Sequence, residues 1–103
     1  MIRVSDWRPM ERNTLRGFLT LTLDPSGLVL RDCTFHRHQD GREWIGLPGK
    51  PQLDSNGQQR RDPATGKALY APVVEIPDKG ARERFQGAAV AAVHQLLAAG
   101  GDL

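Results

Sequence analysis

Cysteine is almost missing from this sequence. Cys33 stands alone, so no disulfide can form within the chain and a reducing compartment suits it. Long apolar runs are missing too. The most apolar stretch, Ala88 to Ala99, is interrupted by His94 and Gln95 and is too short to cross a bilayer. The opening residues, MIRVSDWRPM, hold no apolar run and no small-residue cleavage site. No signal peptide is therefore expected, and the expected location is cytoplasmic. Neither GxGxxG nor GxxxxGKS/T occurs, which excludes the common phosphate-cradling glycine loops. Zinc spacing is lacking as well. His36 and His38 lie two apart and share a strand face, but only Cys33 or Asp32 stands near them and no Cys-x-x-Cys pair exists. They read as solvated histidines near a hairpin tip, and no metal or other cofactor is expected. Cys33 lies among apolar neighbours, where a thiol is buried and inert. The acidic residues form no carboxylate pair at a diagnostic spacing. Every candidate site falls short of a full set of parts, so the chain reads as non-enzymatic, with no small-molecule substrate.

What is present fits one domain spanning residues 1–103. Hydrophobic residues make up 39% and charged residues 25%, ordinary values for a folded soluble domain. A chain this short has room for about one layer of helix on sheet. Net charge is only +2, so bulk charge does not announce a polyanion partner. The basic side chains ahead of the central loop are Arg rather than Lys, and Arg suits planar contact with phosphate or carboxylate.

Alternation marks the strands. In Leu15 to Leu23, Leu15, Gly17, Leu19, Leu21 and Leu23 fall on one side; Arg16, Phe18, Thr20 and Thr22 fall on the other. Asp24-Pro25-Ser26-Gly27 is a turn, and Leu28 to Arg37 is the return strand of a β-hairpin. Asp40-Gly41 is a second hairpin signal, followed by a short strand over Arg42 to Leu47. From Pro48 the chain is polar and rich in Gly, Pro, Asn, Asp and Gln, which predicts a long flexible loop over 48–68; Asn56-Gly57 is placed to close a small hairpin inside it. Leu69 to Ile76 reads as a fourth strand, at an edge or bulged because Pro72 has no N–H to give. Pro77-Asp78-Lys79-Gly80 opens a helix running from Gly80 to Ala99. Glu83 is placed to cap its start, and Gly100-Gly101 stops it. Ala81, Phe85, Ala88, Ala89, Ala92, Val93 and Leu96 form its apolar stripe. The order is β-β-β-long loop-β-α: an α+β fold with a small antiparallel four-stranded sheet and one C-terminal helix.

Basic residues recur beside aromatics. Arg8 follows Trp7, Arg16 and Phe18 share a strand face, and Arg42 and Trp44 share another. In the long loop Lys50, Arg60, Arg61 and Lys67 outnumber Asp54 and Asp62. Cations hold phosphates while an exposed aromatic stacks on a base. The alternative reading leaves Phe18 and Trp44 in the core and the Arg side chains in water.

One resemblance spans nearly the whole chain. Leu15-Arg16-Gly17-Phe18-Leu19-Thr20-Leu21-Thr22-Leu23-Asp24 is followed by Leu28-Val29-Leu30-Arg31-Asp32-Cys33. Then come Trp44-Ile45-Gly46-Leu47-Pro48-Gly49-Lys50-Pro51, Tyr70 to Ile76, and a final helix. In this order the motifs resemble the stage V sporulation protein G (SpoVG) family. The loop after Lys50 is longer here, and the helix is richer in Ala. The resemblance implies a small dimeric bacterial or phage regulator of transcription that binds DNA and RNA. It implies contacts near the start of the C-terminal helix, at Lys79, Arg82 and Arg84. With the loop cations, the expected nucleic-acid-binding set is Lys50, Arg60, Arg61, Lys79, Arg82 and Arg84. The competing expectation is a structural or protein-interaction homodimer with no nucleic-acid role, in which a partner covers the open strand edges and the Ala face of the helix.

Overall fold

The computed structural model describes residues 1–100. Gly101 of the expected helix stop lies outside the described residues. The architecture is α+β: an antiparallel four-stranded sheet, a second small sheet and one C-terminal helix. In the main sheet the strands lie in the order β1 (Ile2–Arg12), β2 (Leu15–Leu23), β3 (Leu28–Arg37) and β4 (Glu43–Gly46). The hairpin of β2 and β3 has the bounds its alternation predicts. Gly27 closes its turn at φ +77°, a conformation that glycine adopts freely.

The fourth strand of this sheet is not the one expected. It is β1, from the N-terminal segment, and it pairs with β2 along the edge. The Leu69 to Ile76 segment contributes only β6 (Tyr70–Pro72), which pairs with β5 (Gly49–Pro51) in the separate two-stranded sheet. Pro72 has no N–H, so the next donor, Val73 N–H, reaches the Pro48 carbonyl at 3.1 Å. Val74 and Ile76 then leave the ladder and pack against the core.

Between β5 and β6 the polar segment is built from two tight hairpins. Leu53 bridges Gln59 around Asn56-Gly57, and Arg61 bridges Ala68 around Gly66. Asp54 and Asp62 set these turns by accepting from the backbone N–H groups of Asn56 and Gln58, and of Ala64 and Thr65. Residues 48–72 thus form an arm carrying its own ladder.

Bulges decide which side chains face where. Between Ser5 and Arg8 the β1 register slips by one residue at Asp6, whose φ is +54°. Between Leu19 and Leu21 the slip is in β3, at Asp32, with φ +59°. Asp tolerates this left-handed region better than most residues. A third slip, between Leu15 and Gly17, puts Leu15 opposite His36. Leu15 therefore leaves the face of Gly17, Leu19 and Leu21, contrary to unbroken alternation, because one extra residue exchanges the faces.

Helix α1 (Lys79–Ala98) lies on the face that holds Leu19, Leu21, Leu30, Cys33, Phe35 and Ile45, all buried. It contributes Phe85, Ala89 and Val93, spaced four apart on one stripe. Ala89 is fully buried, so its small side chain lets the helix come close to the sheet. Full burial of each large apolar side chain stabilises the fold by about 1.5–3 kcal/mol. Asp78 is the N-cap: its carboxylate accepts from Ala81 N–H at 2.7 Å. Glu83, expected to cap, instead lies 4.0 Å from Lys79.

The helix also closes the β4 edge. Gln86 accepts from Ile45 N–H at 2.8 Å and donates to Ile45 C=O at 2.9 Å, so one side-chain amide stands in for a neighbouring strand. Gln86→Ala leaves both backbone groups of Ile45 without this partner. The expected cost is about 1–3 kcal/mol, read as a lower urea midpoint with an unchanged denaturant slope. No shift in the midpoint would mean that the edge is not held this way.

Candidate nucleic-acid interface

The helix covers only one face of the sheet. Cross-strand partners share a face, so the other face can be read from the register. Arg8 stands opposite Phe18, Phe18 opposite Thr34, and Thr34 opposite Gly46; in the next row Leu15 is opposite His36, and His36 is opposite Trp44. Phe18 and Trp44 are half-buried on this helix-free face and take no part in the core. Arg8 holds its guanidinium 5.5 Å from the Phe18 ring centre, a cation–π distance. Arg16 belongs to the bulge beside Leu15; it donates to the carbonyls of Asn13 and Leu15 at 2.8 and 3.0 Å and so braces the β1–β2 turn.

His36 organises the second row. Its ring stacks on Trp44 with centroids 5.2 Å apart and planes within 4° of parallel. Its Nδ1 lies 3.0 Å from Thr14 Oγ1, and its Nε2 lies 2.8 Å from Thr34 Oγ1. Burial, then the charge of Arg16, holds the imidazole below its ordinary pKa. Gly46 makes room for this network, since a Cβ there would overlap Thr34 Oγ1. The expectation of two alike, solvated histidines is thus corrected. His36 is fixed in the sheet face, whereas His38 lies in the following turn, 3.1 Å from Asp40.

The arm flanks this face. One cleft, of about 480 Å³, has Leu15, Phe18, Thr34 and His36 on the sheet side and Leu47, Pro48 and Tyr70 on the arm side, with Asp32 its one lining acid. A second cleft, also about 480 Å³, shares Leu15 and His36 with the first and is bordered by Arg12, Arg61 and Lys67. None of these three cations has an ion-pair partner among the described residues. Arg3, Arg37 and Arg42, by contrast, pair with Asp24, Glu43 and Asp40.

The six cations expected from the sequence are divided between two places. Arg61 borders the second cleft and donates to the Gly66 carbonyl at 3.2 Å. Lys50 lies on β5 and Arg60 on the arm, both exposed. The other three lie at the start of α1. Lys79 faces Glu83, and Arg82 donates to the carbonyls of Ile76 and Pro77 at 3.0 and 3.3 Å, which ties part of its guanidinium to the chain entering the helix. Arg84 is exposed there. Arg12, Lys67 and Tyr70 are outside the expected set. Lys67 is visible as a loop cation, but the fold alone brings it beside Arg12.

Cys33 is fully buried, with its thiol donating to the Leu30 carbonyl at 3.5 Å. Burial, then the charge of Asp32, pushes its pKa up to about 11, which keeps it protonated and inert near neutral pH. Among the described residues no three His, Cys, Asp or Glu side chains cluster so as to hold a metal ion. No helix among them is long and apolar enough to cross a membrane.

Glu43 ties three elements together. It meets Arg37 of β3 at 2.8 Å and His94 of α1 at 2.7 Å. Burial pushes its carboxyl up, but the hydrogen bonds from Arg37 and His94 outweigh this and leave the pKa below the ordinary range. A depressed folded pKa stabilises the protein fully above the unfolded value and loses that contribution as pH falls through the folded value. The same sign holds for His36, whose loss begins nearer its unfolded value of about 6.5. Urea midpoints are therefore expected to fall in two acid steps. Asp24 and Asp40, held below their ordinary values by hydrogen bonds from the Arg3 side chain and the Arg42 backbone N–H, share the lower step, so Glu43→Gln should shrink it and leave the upper one. A lower step of full size in that variant would remove Glu43 as one of its sources.

The class defined by this geometry is an α+β domain whose sheet is covered by a helix on one face and flanked by a cationic arm on the other. No family model matches the chain, no curated protein matches it, and no solved structure matches it.

Proposed function

We propose that this chain is a small cytoplasmic nucleic-acid-binding regulatory protein that acts as a homodimer. The observation that carries this reading is the helix-free sheet face, where half-buried aromatic rings stand beside the unpaired cations Arg12, Arg61 and Lys67. Phosphates would lie along those cations and along Lys50 and Arg60 of the arm, and each phosphate neutralised would release counterions. The resemblance to the SpoVG family supports the same function, although it points to Lys79, Arg82 and Arg84. Lys79 there faces Glu83, and Arg82 is held by two backbone carbonyls against one for Arg61, so we assign that group the smaller share of the binding.

The homodimer is supported by an open groove between β1 and the C-terminal half of α1, lined by Ile2, Val4, Ala92 and Leu96. Light scattering at micromolar concentration tests it, and a monomer would contradict it. Fluorescence anisotropy with labelled DNA and RNA at low salt tests the function. Binding is expected, and charge reversal of Arg82 and Arg84 should weaken it less than neutralisation of Arg61 and Lys67. The opposite ranking would move the interface to the helix start. Absence of binding would leave the homodimer as a structural or protein-interaction module.

A further inference from the structure

The two clefts on the helix-free face differ in chemistry, and the difference points to a particular form of nucleic acid. The cationic cleft offers Arg12, Arg61 and Lys67, groups that hold phosphate. The neighbouring cleft offers rings and short hydrogen-bonding groups instead: Phe18, Tyr70, Leu15 and Pro48, with Thr34, His36 and Asp32 between them. Leu15 and His36 border both, so the two lie side by side. Tyr70 is 58% exposed although it stands on the wall of a cleft, so its ring is available to a ligand. Arg8 lies over one face of the Phe18 ring, which keeps the ring in place on the sheet.

A phosphate-only ligand has no use for the apolar cleft. A base pair within a duplex cannot enter it either, because its faces are already stacked on neighbouring pairs. An unpaired base presents both a face, for Phe18 or Tyr70, and a hydrogen-bonding edge, for Thr34 and Asp32. The adjoining cations then lie where the strand's own phosphates run. Building on the nucleic-acid reading above, we infer that the ligand is a single strand of DNA or RNA, with an unpaired base inserted between the sheet and the arm.

The test compares a labelled oligothymidylate, an oligouridylate and a mixed-sequence duplex of matched length at low salt. The single strands are expected to bind at least about tenfold more tightly than the duplex. Tyr70→Ala should weaken single-strand binding by roughly five- to hundredfold, the usual range for losing one stacking ring. It should leave duplex binding unchanged, and Tyr70→Phe should bind as the parent does. Tyr70 is exposed, so the substitution should not disturb the fold, and an unchanged urea midpoint checks this. Phe18→Leu gives a second reading from the opposite wall. An oligodeoxyuridylate, which differs from the oligouridylate only in lacking the 2′-hydroxyl, separates a DNA ligand from an RNA one. Equal affinity for single strand and duplex, with no effect of Tyr70→Ala, overturns base insertion and leaves the nucleic-acid function standing. Single-strand preference that is insensitive to both variants also overturns this cleft as its source. No binding to any polymer overturns the inference together with the function beneath it.

Discussion

Trp7→Ala is expected to destabilise the protein by about 3–5 kcal/mol, the range for removing a large aromatic from a packed core. Trp7 is only 5% exposed and meets Phe35 edge-on, with ring centres 6.1 Å apart. It also lies directly over Gly17, where an added Cβ would stand 2.5 Å from the indole. The indole therefore fixes β1 to β2 and fills the space that Gly17 leaves. Small domains have about 5–15 kcal/mol in total, so the variant should be partly unfolded at moderate urea. The converse change, Gly17→Val, overfills the same space and should cost about 1–3 kcal/mol. Combined, the two substitutions should cost less than their sum, because each relieves the misfit of the other. Urea unfolding followed by circular dichroism measures all three. A loss under about 1 kcal/mol for Trp7→Ala would show that β1 is not anchored by its indole.

The second large effect concerns binding. Arg61→Gln with Lys67→Gln removes two of the three unpaired cations around the cationic cleft. Single-strand affinity at low salt is expected to fall by tenfold or more. The salt dependence should also become shallower by about 1.4 in log–log slope, roughly 0.7 for each phosphate no longer neutralised. Both side chains are exposed and flank the turn that Asp62 sets, and the one internal bond lost is that from Arg61 to the Gly66 carbonyl, so the fold should be little affected. A loss of affinity with no change in slope would mean that these groups act on shape and not on phosphate.

These two residue groups also show what a local reading can and cannot reach. β2, β3 and their turn are legible because alternation and Pro-Ser-Gly act over neighbouring residues. The helix is legible from its spaced apolar stripe, though its cap is Asp78 and not Glu83. β1 is hidden by its own bulge. Ile2 and Val4 start an alternation, the extra residue at Asp6 breaks it, and Pro9 then resembles a strand breaker; an edge strand tolerates both. The Leu69–Ile76 segment has the composition of a strand, yet Pro72 stops its ladder after three residues.

The candidate site is half visible in the sequence. Arg61 is a loop cation at sight, and the pairing of basic with aromatic residues is plain along the chain. The meeting of Arg12 with Arg61 and Lys67, and of Phe18 with Tyr70, depends on how the arm lies against the sheet. No local pattern encodes an approach across so long a stretch of chain. The fixed state of His36 is equally hidden, because besides Thr34 on its own strand it requires Thr14 and Trp44 from two other points in the chain.

The measurement closest to the central claim is a salt titration of the unmodified protein with a labelled single strand, followed by anisotropy. With phosphates held at Arg12, Arg61 and Lys67, log affinity should fall linearly with log salt, with a slope of about −2 or steeper. A flat dependence, or no binding at the lowest salt, would contradict a nucleic-acid interface on this face.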